Sequence, residues 1–196
     1  MKLLRPTFIV GIGGSAGALS AYKTLLGALS PKTGMAFVII SHMNPTASSQ
    51  LALILSRHTK MPVTVAGQAM SIESNHVYVI PPNADLLIKR FKFKIISPRS
   101  SHKMQINSFF ISLAEAMGAC AVGIVLSGYN GDGTEGCKQI KEKGGTTFAQ
   151  DGSAEVNHMP LSAQHSGCID FVLPVDKIPD QLERLVSTFL NQRIIS

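Results

Sequence analysis

The sequence has few cysteines, no long apolar run and no internal repeat. Its three cysteines, Cys120, Cys137 and Cys168, are far apart and lack a CxxC spacing, which favours neither a disulfide framework nor a zinc site. Buried, reduced thiols are expected instead. No stretch approaches the ~18 uninterrupted apolar residues of a membrane span, and Arg5 and Pro6 interrupt the N-terminus before a signal peptide could form. We therefore expect a cytoplasmic protein that is not inserted in a membrane.

The length and composition predict one folded unit. The 196 residues are 45% apolar, enough for one substantial core, so we expect a single domain over residues 1–196. The net charge of +6 is compatible with nucleic acid, an acidic membrane surface or an acidic protein as partner. The densest basic segment, 89–94, alternates basic and apolar residues, which predicts a half-buried strand with a solvated outer face. Because no nucleic-acid-binding motif accompanies it, we predict no nucleic-acid partner.

Short apolar segments alternate with helical patterns along most of the chain. Strands are predicted at 7–10, 35–41, 62–66, 119–126, 146–149 and 170–173, with a glycine turn at 11–14. Helical spacing covers 19–29, 49–58, 106–117, a segment ending near 143 and the C-terminus from about 176. Between 75 and 96 the segments HVYVI, LLIK and KFKII predict an antiparallel excursion. The order predicts a three-layer α/β/α fold, with a doubly wound, mostly parallel sheet and an antiparallel hairpin.

The first glycine-rich segment contains a candidate nucleophile. Residues 13–17, GGSAG, match G-x-S-x-G between a predicted strand and a predicted helix, the context of a nucleophile turn. Ser15 would lie over the helix N-terminus, with the Ala16 N–H as the natural oxyanion donor. The same glycines are typical of a dinucleotide or phosphate loop. That alternative needs an acidic residue ~20 positions later to bind the ribose, and no Asp or Glu occurs between Ser15 and His42.

Two other loops carry residues that could act with Ser15. His42 ends the second predicted strand, where an imidazole can take a serine proton near neutral pH; a core or capping histidine is the alternative. Asp132 lies in the glycine-rich loop 128–136 and could accept a hydrogen bond from the imidazole Nδ1–H. A calcium loop is disfavoured because only Asp132 and Glu135 supply carboxylates, whereas a plain turn with an Asp cap stays open. All three residues follow strands at their carboxyl ends, where sites form in parallel sheets.

Together, these segments resemble the catalytic domain of the chemotaxis protein-glutamate methylesterases, the CheB type. The resemblance covers nearly the whole chain, from 8 to about 185. It rests on GIGGSAG at 11–17, SHM at 41–43, VYVIPP at 77–82, LSG at 126–128, GDG at 131–133, GG at 144–145, AQD at 149–151 and MP at 159–160. The segments HTKMPV at 58–63, NHVYVIPPN at 75–83 and DFVLP at 170–174 are most similar to the esterase module of CheB/CheR-type fusion proteins. No receiver domain precedes it in this sequence.

The resemblance implies hydrolysis of glutamate methyl esters on the cytoplasmic helices of chemoreceptors, and it extends to deamidation of receptor glutamines. It assigns the triad roles to Ser15, His42 and Asp132, and it places the Tyr129 backbone as an oxyanion donor. Neither a metal nor an organic cofactor is expected. A methyltransferase domain linked to this one in the full-length protein is a further expectation.

The pocket around the triad is expected to depart from the family pattern. Its candidate residues are Gly14, Met43, Gly128, Asn130, His158 and Met159. Tyr129 stands where the family usually has Met, Ala18 where a second Gly is common, and Asn157 and His158 where Gly is frequent. Two alternatives to a hydrolase are considered: a catalytically silent receptor-binding or signalling module, and a nucleotide-binding oxidoreductase. The presence of all three triad residue types disfavours the first, and the missing ribose acid disfavours the second.

Overall fold

The computed structural model describes residues 5–42, 48–100 and 104–195. In this part of the chain the strands are β1 Ile9–Gly14, β2 Ala36–Ser41, β3 Val63–Val65, β4 His76–Val79, β5 Asp85–Lys89, β6 Lys92–Ile96, β7 Ala121–Val125, β8 Thr146–Gln150 and β9 Phe171–Leu173. The helices are α1 Ala18–Ala28, α2 Ser48–Ser56, α3 Gln105–Met117, α4 Thr134–Glu142, α5 His158–His165 and α6 Ile178–Ile195. None of these helices has the length and apolar character needed to cross a membrane.

Seven strands form one parallel sheet in the order β3-β4-β2-β1-β7-β8-β9, and β5 and β6 form an antiparallel hairpin. One core cluster packs α1, α2 and α6 on one face of the sheet. A second packs α3, α4, α5 and the hairpin on the other face. This arrangement confirms the predicted three-layer α/β/α fold. Because β1 lies between β2 and β7, the loops that follow these three strands meet at one edge of the sheet.

The strand β1 continues through the glycines that the sequence analysis assigned to a turn. Successive residues of a strand face opposite sides of the sheet, and Gly11 and Gly13 face α3. A Cβ on Gly11 would lie 2.7 Å from the Phe110 ring, and a Cβ on Gly13 would lie 2.5 Å from Ile106 Cγ2. The prediction of a turn at 11–14 was therefore wrong. These glycines let α3 pack directly on the strand, and the turn begins at Ser15.

Two smaller predictions need correction, and one helix was not predicted. The strand β4 pairs in parallel with β2 and β3 in the main sheet, so the antiparallel excursion is formed by β5 and β6. The helix α5 was not predicted; it has Pro160 in its first turn, where the missing N–H is tolerated. Cys120 is half-buried rather than buried, whereas Cys137 and Cys168 are buried as expected.

Candidate active site

Ser15 lies in the turn between β1 and α1. Its N–H donates to the Ser127 carbonyl at 2.9 Å, and its own carbonyl accepts the Ala18 N–H at 3.1 Å. Gly17 closes the turn with a left-handed backbone at φ 73°, which favours glycine, and a Cβ there would lie 2.7 Å from Ser127 Oγ. The turn is thus held against the loop that follows β7. The half-buried Ser15 hydroxyl makes no hydrogen bond to any described residue.

His42 follows β2 and lies beside Ser15. The parallel register of β1 and β2 pairs Gly14 with Ser41, and the His42 N–H donates to the Gly14 carbonyl at 3.4 Å. Adjacent strands lie ~4.8 Å apart, so the next residues, Ser15 and His42, leave the sheet side by side. Both residues line the same cleft.

The His42 ring is hydrogen-bonded to Asp132. Its Nε2 lies 2.6 Å from Asp132 Oδ2, with 11% of the His42 side chain and none of the Asp132 side chain exposed. An imidazole and a carboxylate this close form a charge-assisted hydrogen bond. The prediction that Nδ1 donates the hydrogen bond to Asp132 was wrong, because the ring is turned so that Nε2 faces the carboxylate. Nδ1 is left as the nitrogen that can accept a proton.

The Asp132 carboxylate is held at the N-terminus of α3. Its Oδ2 accepts the Ile106 N–H at 3.0 Å, and its Oδ1 accepts the N–H groups of Asn107 and Gly133, each at 2.9 Å. The first N–H groups of a helix lack intrahelical acceptors and carry a partial positive charge, so they stabilise a carboxylate. The N-cap residue of α3, Met104, supplies no side-chain cap. Asp132 therefore caps α3 from a distant segment, and α3 in turn compensates the burial of its charge.

Two backbone N–H groups beside Ser15 have no acceptor among the described residues, those of Ala16 and Tyr129. By contrast, the Gly128 N–H donates to the Val156 carbonyl at 2.9 Å and is already occupied. Gly128 itself touches Ser15, since a Cβ on it would lie 3.1 Å from Ser15 Cβ. The two N–H groups expected from the sequence therefore lie close to Ser15 and are available to bind an oxyanion.

A cleft of about 430 Å³ opens over Ser15 and His42. Its walls come from α1 and α2, through Leu19, Tyr22, Leu51 and Ile54, and Ser41 and Gln50 add polar groups. Mostly apolar walls with a few polar groups are typical of a pocket that binds a small group or a side chain. In the described ranges, no three His, Cys, Asp or Glu side chains come together in a way that could hold a metal ion.

Comparison with known proteins assigns the family. The model of the CheB methylesterase family matches residues 10–182. The chain belongs to the CheB methylesterase family. A Leptospira interrogans protein, provisionally named a protein-glutamate methylesterase/protein-glutamine glutaminase, is 36% identical over 186 residues, which cover 93% of this chain and 96% of the relative.

Another relative and a solved structure agree with the CheB assignment. A Hydrogenovibrio crunogenus protein-glutamate methylesterase/protein-glutamine glutaminase is 32% identical, and the match covers 91% of this chain but 49% of the relative. The crystal structure of the Thermotoga maritima CheB methylesterase catalytic domain superposes with a TM-score of 0.84 at 27% identity, covering 91% of this chain and 98% of that one.

In this CheB-type domain, three of the expected pocket residues are buried behind Ser15. A Cβ on Gly14 would lie 2.5 Å from the Tyr22 hydroxyl, and a Cβ on Gly128 would lie 2.5 Å from Met159 Cε. Met159 is itself fully buried. These buried residues pack against the turn that carries Ser15. The walls of the cleft come instead from α1 and α2, which the sequence analysis did not single out.

The other expected pocket residues lie further out. Asn130 is half-buried and His158 is exposed, and the His158 ring meets the Tyr129 ring edge-on, with 6.0 Å between centroids. The Tyr129 side chain is 67% exposed. Met43 lies outside the described residues. The part that these side chains take in binding stays a prediction.

Asn107 supports the site and was missed by the sequence analysis. Its Oδ1 accepts the N–H groups of Gly133 and Gly136, both at 2.9 Å, and the residue is only 6% exposed. It thereby holds the loop that carries Asp132 against the first turn of α3. The available signal was an asparagine in a helical segment, where its side chain competes with the helix for backbone groups.

Proposed function

We propose that this chain is a protein-glutamate methylesterase, a serine hydrolase that removes methyl esters from glutamate side chains of chemoreceptors. The observation that carries the proposal is the 2.6 Å hydrogen bond from His42 to the buried Asp132 carboxylate, next to a serine that follows the adjacent strand. Membership of the CheB methylesterase family supports the same activity, and two similar proteins carry the name of that activity.

In the acylation step, Ser15 Oγ attacks the ester carbonyl carbon while His42 Nδ1 takes the hydroxyl proton. The carbonyl oxygen becomes an oxyanion, which the N–H groups of Ala16 and Tyr129 stabilise. The tetrahedral intermediate collapses and expels the methoxy group, which takes the proton from His42 and leaves as methanol. The buried Asp132 carboxylate stabilises the imidazolium ion that forms between the two proton transfers.

In the second step, water attacks the acyl-enzyme with His42 again as base, which yields the glutamate carboxylic acid and restores Ser15. The same steps on a glutamine side chain release ammonia in place of methanol, so the proposal includes deamidation of receptor glutamines. Ser15, His42 and two backbone N–H groups supply the nucleophile, the base and the oxyanion donors. The proposed mechanism includes no cofactor.

The proposed partners are the methylated cytoplasmic helices of chemoreceptors, so the activity is placed in the cytoplasm. A net charge of +6 would attract a helix surface rich in glutamate. We further propose that residues 1–196 act as one catalytic domain. A linked methyltransferase domain in the full-length protein remains part of the proposal through the resemblance to fusion modules.

Methanol release from membranes that contain methylated chemoreceptors tests the proposal. The wild-type protein should release methanol, and Ser15→Ala should lower the rate by about four orders of magnitude or more. Ser20→Ala removes an exposed serine of the neighbouring helix and should leave the rate unchanged. A silent receptor-binding module would bind the membranes without releasing methanol, and that result would contradict the proposal.

Covalent labelling gives a test that needs no receptor. Phenylmethylsulfonyl fluoride should add one sulfonyl group to the wild-type protein, and peptide mass spectrometry should locate it on Ser15. The label should be lost in Ser15→Ala and kept in Ser20→Ala. A label on another serine with Ser15 unmodified would reject Ser15 as the nucleophile.

A further inference from the structure

The Tyr22 hydroxyl is a buried polar group that makes no well-formed hydrogen bond to any described residue, although the Ser41 side chain is close enough to lower its pKa through a hydrogen bond. Tyr22 lies on α1, four residues after Ala18, and is 2% exposed. A buried hydroxyl that loses its bonds to water and gains none in return is destabilising. Such a group in a folded protein calls for an explanation, and a role in the adjacent site is one of the recognised ones.

The position of this hydroxyl is set by the two strands that lead into the site. A Cβ on Gly14 would lie 2.5 Å from the Tyr22 hydroxyl, so glycine at this position makes room for the phenol. Gly14 pairs with Ser41 across β1 and β2. The phenol oxygen therefore lies beside the two residues that immediately precede Ser15 and His42.

Ser41 connects the buried phenol to the cleft. It is 9% exposed and lines the cleft together with Ser15 and His42. Burial raises the pKa of the Tyr22 phenol, and the nearby Ser41 side chain offsets a smaller part of that rise, so the phenol stays protonated and can donate. A serine hydroxyl can accept one hydrogen bond and still donate its own hydrogen. Rotation of the Ser41 side chain would let Tyr22 donate to Ser41 while Ser41 donates into the cleft.

Ser41 adjoins His42 in the chain and lines the same cleft as Ser15 and His42. A group bound to the Ser41 hydroxyl is therefore near the base. In the deacylation step, that is the position of the attacking water, whose proton must pass to His42.

We propose that Tyr22 and Ser41 form a hydroxyl pair that positions the water molecule for hydrolysis of the acyl-enzyme. The inference rests on the proposed serine-hydrolase function. In the step concerned, the water oxygen forms a bond to the acyl carbon while one water proton passes to His42. The bond from that carbon to Ser15 Oγ then breaks, and Ser15 Oγ takes the proton from His42. The products are the free carboxylic acid and the unmodified serine. Tyr22 and Ser41 are positioning residues in this step and form no covalent bond.

The test separates deacylation from acylation. The protein is acetylated with excess p-nitrophenyl acetate, the reagent is removed, and loss of the acetyl group from Ser15 is followed by mass spectrometry after acid quenching. Tyr22→Phe removes one oxygen and Ser41→Ala removes the other. Each should slow loss of the acetyl group by about tenfold, the factor that a single hydrogen bond supports, and should slow this step more than it slows acetylation.

The matched control is Tyr78→Phe. Tyr78 is also a buried tyrosine, but its hydroxyl accepts the Glu73 N–H at 3.0 Å and donates to the Ser71 carbonyl at 3.3 Å, and it does not line the cleft. This variant loses a phenol hydroxyl with two partners, so it should lose stability without slowing deacylation. An equal slowing in Tyr78→Phe would overturn the inference.

The remaining outcomes are also decisive. Unchanged deacylation in both Tyr22→Phe and Ser41→Ala overturns the inference, as does an equal fall of acetylation and deacylation. If Tyr22→Phe does not fold, Ser41→Ala alone decides. If the wild-type protein is never acetylated on Ser15, the proposed serine-hydrolase function itself fails. If the wild-type protein is acetylated normally and the variants show no defect in deacylation, only the inference about Tyr22 and Ser41 fails.

Discussion

Two aspartates of this domain are held by similar bonds but lie in different surroundings. Asp132 accepts backbone N–H groups from the first turn of α3, and Asp170 accepts the backbone N–H and the hydroxyl of Thr147, both at 2.9 Å. The third partner differs. Asp132 is fully buried and bonds the His42 ring beside a cleft, whereas Asp170 is partly exposed and bonds the surface side chain of Lys141. The difference teaches that similar backbone bonds can hold a carboxylate in two settings, and that only Asp132 faces a titratable group beside a cavity, as the proposed mechanism requires.

The largest expected effect comes from breaking the bond between Asp132 and His42. Asp132→Asn should lower kcat for methyl ester hydrolysis by about 10,000-fold, as the same change does in serine proteases, because the amide no longer stabilises the imidazolium or selects the ring tautomer. Steady-state kinetics on a methyl ester measure this. Asp170→Asn is the matched change and should leave kcat unaltered. An Asp132→Asn variant with more than about a tenth of wild-type kcat would remove Asp132 from the proposed triad.

The second effect concerns the support of the Asp132 loop. Asn107→Ala leaves the Gly136 N–H buried without an acceptor and leaves the Gly133 N–H with Asp132 Oδ1 alone, which should cost about 1–3 kcal/mol in the free energy of unfolding. Because the loop carries Asp132, kcat should also fall, by about tenfold. Urea unfolding and steady-state kinetics measure the two quantities.

Asn130→Ala is the control for this variant, since it removes the same type of side chain from the loop that Asn107 supports. Asn130 is half-buried, and its Oδ1 accepts the Asp132 N–H at 3.2 Å. It should lower the free energy of unfolding by about 1 kcal/mol, less than Asn107→Ala does, because the one bond that it removes is only partly buried. Equal losses in the two variants would show that the loop is not held chiefly through Asn107.

The third effect tests the contact between β1 and α3, whose first turn holds Asp132. Gly13→Ala places a methyl group 2.5 Å from Ile106 Cγ2, and overpacking of this kind costs about 1–3 kcal/mol in the free energy of unfolding. Gly152→Ala is the control, because its Cβ would meet nothing within 4 Å. Thermal unfolding measures both. A Gly13→Ala variant as stable as Gly152→Ala would contradict the close packing described for α3.

The smallest effect belongs to Asp170 and depends on pH. Burial acts to raise the pKa of the Asp170 carboxyl, but bonds from Lys141 and Thr147 outweigh it and hold that pKa below its ordinary value of 3.8. A carboxyl with a lowered pKa in the folded state stabilises the protein above its unfolded-state pKa. This stabilisation is lost as the pH falls through the pKa of the folded state. Asp170→Asn should therefore lower Tm at pH 7 by about 2 °C, and the difference from wild type should vanish well below pH 3.8. A difference that persists or grows at acidic pH would contradict this assignment.

Much of the fold and the site was predictable because local patterns of apolar and polar residues indicate the order of strands and helices along the chain. The strands that end before Ser15 and His42 are short apolar runs, and their carboxyl ends had to meet at one edge once the sheet was parallel. The glycines of β1 were misassigned because a glycine that admits a neighbouring helix looks the same in sequence as a glycine that turns the chain. The parallel pairing of β4 was missed for a related reason, since strand direction depends on the partner strand and not on the strand's own residues.

The sequence by itself determined the order of strands and helices, and with it the three loops that carry the serine, the histidine and the aspartate. Only the tertiary structure decided which nitrogen of His42 meets Asp132, that Asn107 holds the loop, and that the hydroxyl of Tyr22 is buried beside the cleft. His42 and Asp132 are 90 residues apart in the chain. Local patterns reflect the conformations of neighbouring residues, whereas the orientation of a ring and the partner of a buried hydroxyl are set by packing between segments that come together only in the folded protein.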